Sequence, residues 1–348
     1  MNHEYNEIID KLLDMDPDPI PRFVLLKEFK ECAPGSIEYQ NAYDRVCGHP
    51  FVKRFEESQN ERGFWHPFHG YTEEVVRHLL SYGLDKNHIC LERLLKYLIK
   101  IIHNEESWDQ FEKQDNVRWW PEMFMPLVNA AMISLIDNTN ENLDSHRKRW
   151  ANFAEISLVK GYYDREADSK AQDGHFNFFG ESVSGKKGYD SEVDRKLQNE
   201  YFGFSTKRTI PPFNYYNLLL LPPLNSITHI SDSTDQALVD FCMNEADGIY
   251  YIYNKKPNEM VSINMQNRDS RDFCHWIRAL SLIAQFKGWA KYEQEYVDWI
   301  LTQRNQDGLW EFPKKFDLFA LSNSWKGKNR AIDSTIFVLR LLLKKRAL

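Results

Sequence analysis

The chain is predicted to be all-α, with about six hairpins of inner and outer helices closed into a ring. Three observations carry that expectation. A glycine followed two residues later by a large aromatic recurs at Gly63-Phe-Trp65, Gly174-His-Phe176, Gly248-Ile-Tyr250 and Gly308-Leu-Trp310. Helical stretches that are apolar all round alternate with visibly more polar ones. The composition, 42% hydrophobic and 14% aromatic with ten tryptophans among 348 residues, suffices for one large core.

The fullest copy of the turn runs from Trp299 to Trp310, with Gln303 and Asp307-Gly308 inside it. Glycine can take the left-handed conformation that closes a helix, aspartate bonds its own backbone there, and the aromatic returns its area to the helix pair. A degenerate copy is expected around Asn104-Glu-Glu-Ser-Trp108. A recurring helical unit of this size is the signature of stacked hairpins that bury a shared core.

In chain order, Tyr5 to Asp14 has helical apolar spacing and stops at Asp16-Pro-Asp-Pro. Pro21 to Glu31 forms the next helix. Ser36 to Glu57 reads as one or two helices interrupted at Gly48-His-Pro50. Tyr71 to Tyr82 is amphipathic, with Val75, Val76, Leu79 and Leu80 as its apolar face, and His88 to Ile102 is its partner. Arg118 to Ile136 is apolar almost all round, as befits an inner helix, and Leu143 to Lys160 is its polar partner. The rhythm breaks over 164–210, read as a long insertion loop or lid within a single domain spanning 1–348. It resumes with a short proline-bounded helix after Pro211-Pro212, then Asp232 to Asn244, Asp269 to Phe286 and Tyr292 to Gln303. The last stretch, Ile332 to Leu343, needs a partner, which the first helix can supply by closing the ring.

The net charge of −7 argues against a nonspecific nucleic-acid binder, which needs a basic face to displace counterions. Five scattered cysteines without close spacing fit a reducing compartment, and the N-terminus lacks a signal-peptide pattern, so a cytoplasmic location is expected. The longest pure apolar run, Leu218 to Leu221, is far short of the roughly 20 residues of a spanning helix. No metal or cofactor is implied.

With these motifs in place, the chain resembles the α/α toroid group of terpenoid cyclases and protein prenyltransferases, whose repeat carries Q-x-x-D-G-x-W. Gln303 to Trp310 comes closest, with one extra residue between Gln and Asp. More narrowly, Leu12-Leu-Asp-Met-Asp-Pro17, Arg22, the turn at 63–65 and Tyr71-Thr-Glu-Glu74 resemble single-domain bacterial proteins of the squalene-cyclase-like type. The chain departs from the group's chemistry. The Asp-x-Asp-Asp motif of squalene cyclases and the Asp-Asp-x-x-Asp of metal-dependent terpene synthases are both missing. Asp272-Phe-Cys274 matches the zinc-binding pair of prenyltransferases, but the expected histidine near the last inner helix does not.

In such a ring the inner-helix starts converge on one mouth. The candidates there are His66, His69, Glu73 and Glu74; Arg118, Trp119, Trp120 and Glu122; Tyr215 and Tyr216; Asp272, His275 and Arg278; and Arg330 and Asp333. Asp272 and Asp333 are the candidate catalytic acids and the others candidate ligand contacts, although a carboxylate at a helix start also stabilises the dipole with no catalytic duty. The resemblance implies a small or medium ligand, with isoprenoid chemistry first. The polarity of the set suits sugars as well, because aromatic faces pack on sugar C–H surfaces while carboxylates do acid–base work. A carbohydrate-active α/α barrel and a non-catalytic binding scaffold are the alternatives.

Overall fold

A computed structural model describes residues 3–67, 69–108, 120–162, 173–178, 181–186, 192–203, 214–222, 229–245, 257–260, 270–314 and 320–344. The fold is helical. The helices are α1 (His3–Asp14), α2 (Pro19–Val24), α3 (Ile37–Cys47), α4 (Pro50–Ser58), α5 (His69–Ser81), α6 (Ile89–Ile102) and α7 (Met125–Ile136). There follow α8 (Asp144–Ala154), α9 (Glu192–Phe202), α10 (Tyr215–Leu220), α11 (Asp232–Asp240), α12 (Ser270–Ile283), α13 (Glu293–Thr302) and α14 (Gly327–Leu342). Single π-helical turns extend α2, α8 and α11 at their C-terminal ends, and another, Trp120–Phe124, leads into α7.

Local chemistry sets the boundaries. Ser36 caps α3 by accepting from Tyr39 N at 3.2 Å, and Pro50 opens α4, where a missing N–H leaves no bond unmade. Asn214 and Asn217 form a reciprocal capping box on α10. The interruption expected at Gly48-His-Pro50 therefore separates two helices.

The core is centred on α7, whose residues from Met125 to Ile136 are all buried except Pro126. It packs against α5, α6, α8 and α10, so no face of it meets water. Among the described residues no helix is long and apolar enough to cross a membrane.

Two glycine-aromatic turns are built alike. Asn60 and Asn305 each receive the N–H of the glycine on their carbonyl at 3.0 Å and donate their own N–H to the carbonyl of the residue after it. Gly63 and Gly308 both have positive φ, +101° and +74°. The other expected copies differ. Asp173-Gly174 lies in a strand, β1 (Asp173–Phe178), paired antiparallel with β2 (Glu181–Lys186), with Gly174 opposite Gly185. Alternation of polar and aromatic residues over His175–Phe178 favours a strand over a helix end. The copy at Gly248 lies outside the described residues. The stretch 164–210, read as a loop or lid, thus contains a hairpin and α9.

The final helix begins at Gly327, earlier than the apolar spacing from Ile332 indicates. Its first turn is polar, so hydrophobic periodicity does not register it. Asp333 therefore sits in the helix body rather than at its start.

The two ends of the chain meet. Lys11 Nζ donates to Asp307 O (2.6 Å), Arg304 pairs with Glu4, and Lys328 Nζ bonds Met15 O (2.8 Å). Deeper in, Arg340 of α14 grips Glu28 with two bonds, at 2.8 and 2.6 Å, and donates to Ser81 O at 2.9 Å.

Candidate functional site

The polar centre grows from one face of α5. His69, Glu73 and Arg77 are spaced four residues apart, which stacks them along a helix, and all three are buried. Thr72 is fully buried beside them and Val76 and Leu79 complete the inward face, while Val75 and Leu80 are only partly covered. The apolar face expected for this helix is therefore a mixed one, with a carboxyl at its middle.

Facing it, α10 brings Tyr215 and Tyr216, each 2% exposed. Tyr216 Oη donates to Glu73 Oε2 at 3.2 Å, and Arg77 Nη1 donates to Tyr215 Oη at 3.1 Å. The Arg77 guanidinium also lies 6.0 Å from the Tyr215 ring centroid. From the turn before α7, Phe124 packs edge-on to Tyr216 (5.6 Å) and to His69 (6.1 Å), and the two tyrosine rings meet at 5.2 Å. Carboxyl, guanidinium, imidazole and two phenols thus share one dry, aromatic enclosure.

Electrostatics follow from that dryness. Burial raises the pKa of Glu73 to about 7, opposed by the Arg77 charge and by the hydrogen bonds of Tyr215 and Tyr216. Burial lowers His69 to about 3, so its imidazole is neutral. Burial likewise raises Tyr215, which remains a phenol. Glu73 Oε1 has no hydrogen-bond partner among the described residues. A carboxylic acid near neutrality with one unengaged oxygen can give or take a proton.

The remaining candidates are distributed elsewhere. Asp333 is buried and holds the turn before α14: Leu321 N and Ser322 N both donate to Oδ2 (2.9 Å each), and Ser322 Oγ donates to Oδ1 at 2.8 Å. Burial raises its pKa to about 7 while these donors pull it down. Arg330 is paired with Glu311. His66 packs on Tyr71 with ring centroids 4.6 Å apart, and Glu122 is half-buried, where its charge supports that of Arg149. Glu74 is half-covered, with its pKa raised by burial. His275 and Arg278 are buried on α12, which contacts α10. Asp272 lies in the first turn of α12 and Trp120 opens the turn before α7, but their side chains, like Arg118 and Trp119 entirely, lie outside the described residues. Cys274, which with Asp272 matches the prenyltransferase zinc pair by spacing alone, is fully buried. Among the described residues, no group of three His, Cys, Asp or Glu side chains could hold a metal ion.

The structure thus joins His69, Glu73, Tyr215 and Tyr216 and adds Arg77 and Phe124, which sequence reasoning did not single out. The four-residue spacing from His69 to Arg77 was a usable signal. Compared with protein-family models, with curated proteins and with solved structures, the chain finds no match.

Proposed function

We propose that the chain is a ring of helix hairpins of the terpenoid-cyclase type, and that it binds a small or medium ligand against Glu73, which serves as its general acid. The ring is supported by the paired turns at Asn60 and Asn305, by α7 buried on every side, and by the bonds that tie α1 and α2 to the C-terminal helices. The acid rests on one observation. Glu73 is a fully buried carboxyl between two tyrosines, with its pKa raised to about 7 and Oε1 unengaged among the described residues.

In this mechanism Glu73 Oε1 gives its proton to an alkene or similar group of an isoprenoid. The rings of Phe124 and Tyr216 then face the developing positive charge. Of the two acids suggested by the pattern, Asp333 is occupied in holding a turn and the Asp272 side chain lies outside the described residues, so the proposal rests on Glu73.

A second reading is a carbohydrate ligand. The phenols of Tyr215 and Tyr216 and the Arg77 guanidinium favour it, because they supply polar groups that an all-apolar substrate leaves unused.

A thermal-shift series with prenyl diphosphates, polyprenols and oligosaccharides, run on the wild type and on Glu73→Gln, tests both, since binding appears directly as added stability. A shift with a prenyl compound that Glu73→Gln alters supports the isoprenoid reading. A shift with a sugar alone replaces it, and silence across the panel leaves a non-catalytic scaffold.

A further inference from the structure

A second site lies on another side of α7 and is independent of the Glu73 reading. A half-open cleft of about 390 Å³ is bounded by the C-terminal end of α6, the turn that follows it and the first turns of α7. Its apolar walls include Ile101, Ile102, Trp108 and Met125, and its polar members are Asn104, Glu106, Ser107, Asn129 and, from α8, His146.

The polar wall is held in place. Arg62 Nη2 donates to Glu106 Oε2 (2.8 Å) and to Ser107 O (2.9 Å), and Tyr97 Oη also donates to Ser107 O at 2.9 Å. The charge of Glu106 is thereby matched. Burial lowers the pKa of His146, and the neighbouring Arg149 adds to that effect, so the imidazole is neutral near pH 7. Among the described lining residues no uncompensated charge therefore remains.

Asn129 supplies direction. It is 2% exposed, and Trp108 Nε1 donates to its Oδ1 at 2.9 Å. That bond assigns the acceptor end of the amide to Trp108. The Nδ2 end has no hydrogen bond to any described residue, although a buried amide ordinarily uses both ends. A mostly apolar cleft with one amide donor left over on its wall matches the usual construction of a small-molecule site.

We infer that this cleft binds a neutral, mostly apolar small molecule carrying one hydrogen-bond acceptor, a carbonyl or ether oxygen directed at Asn129 Nδ2. If benzene occupies a cavity of roughly 150 Å³, the volume admits on the order of fifteen non-hydrogen atoms.

The test is isothermal titration of the full chain with 2-acetylnaphthalene, a ketone of suitable size, and with 2-ethylnaphthalene, which keeps the shape without the oxygen. Saturable 1:1 binding of the ketone is expected, at least about tenfold tighter than the hydrocarbon, because one ligand oxygen satisfies an otherwise unmet donor. Asn129→Leu abolishes that preference. Ile101→Trp, which fills the half-buried rim without removing a polar group, abolishes binding of both probes at an unchanged melting temperature. Equal affinity for the two probes in the wild type, binding that survives Ile101→Trp, or no binding of the ketone at its solubility limit overturns the proposal. So does a concentration-dependent dimer in which Ile101→Trp breaks association, since the cleft would then be covered by a second copy.

Discussion

Trp65 and Trp310 each donate an indole N–H, at 2.7 Å, to the carbonyl ten residues earlier, Phe55 O and Ile300 O. Their backbone N–H groups also find matching partners, Thr72 Oγ1 at 3.2 Å and Thr335 Oγ1 at 3.1 Å. Two helix pairs at opposite ends of the chain are thus joined by one construction. Thr72 and Thr335 are equivalent, and Glu73 on α5 corresponds to Ile336 on α14. The repeat provides the frame, and the polar centre is a departure from it in one copy.

The two turns differ in how closely they are packed. A Cβ on Gly63 would lie 2.7 Å from Arg93 O, whereas one on Gly308 would meet nothing within 4 Å. Both positions carry the left-handed cost for an L-residue, about 1–2 kcal/mol. Gly308→Ala is expected to lose about that much in urea denaturation, and Gly63→Ala clearly more. Equal losses would show that the α6 backbone yields to the added methyl.

Asp333 distinguishes a turn anchor from an acid. Asn can keep a carbonyl oxygen facing the amides of Leu321 and Ser322, so Asp333→Asn is expected to cost no more than about 1.5 kcal/mol. Asp333→Ala strands two buried N–H groups and is expected to cost about 3 kcal/mol or more. Once a substrate is known, turnover by Asp333→Asn should remain near the wild-type rate, and its collapse would return Asp333 to the mechanism.

The pH dependence of stability has a definite sign. Glu73 has a folded pKa raised to about 7, so its contribution is complete below the unfolded value of roughly 4.3 and is lost as pH rises through about 7. His69, lowered to about 3, acts oppositely: its contribution is complete above roughly 6.5 and is lost as pH falls toward 3. Glu73→Gln removes only the first. Relative to wild type it should gain stability between pH 4.5 and 8, by up to about 3 kcal/mol at roughly 1.4 kcal/mol per pKa unit. A difference that stays flat over that range would mean that Glu73 ionises normally in the folded protein.

The grip of Arg340 on Glu28 and Ser81 links the last helix to the second and fifth. Arg340→Met removes the two bonds that the guanidinium gives Glu28 and the one it gives Ser81 O, and is expected to cost about 3 kcal/mol by chemical denaturation. The double replacement Glu28→Leu with Arg340→Met should be more stable than Arg340→Met alone, because the carboxylate that the guanidinium balanced is removed with it. If the double variant is as unstable as the single one, the loss lies in packing rather than in the unbalanced carboxylate.

The sequence by itself determined the helical class and most helix positions, since the period of apolar residues and the proline, glycine and Asx stops act within a few residues of each other. It also marked the turn at Gly308 and its relative at Gly63, where left-handed backbone and an aromatic return are local demands. The hairpin at 173–186 escaped it, because Asp-Gly followed by an aromatic suits a strand as well as a helix end and the cross-strand partner decides. So did the polar first turn of α14, which carries no apolar period. Burial raises the pKa of both Asp333 and Glu73 to about 7, and only the tertiary structure, through the packing around each, separates them. Asp333 and Glu73 are equally plain as letters, but one is surrounded by donors from its own neighbouring turn. The other is brought by the packing of α5 against α10 into an enclosure of aromatic rings, and burial, which sets its proton affinity, belongs to the assembled core and not to any segment.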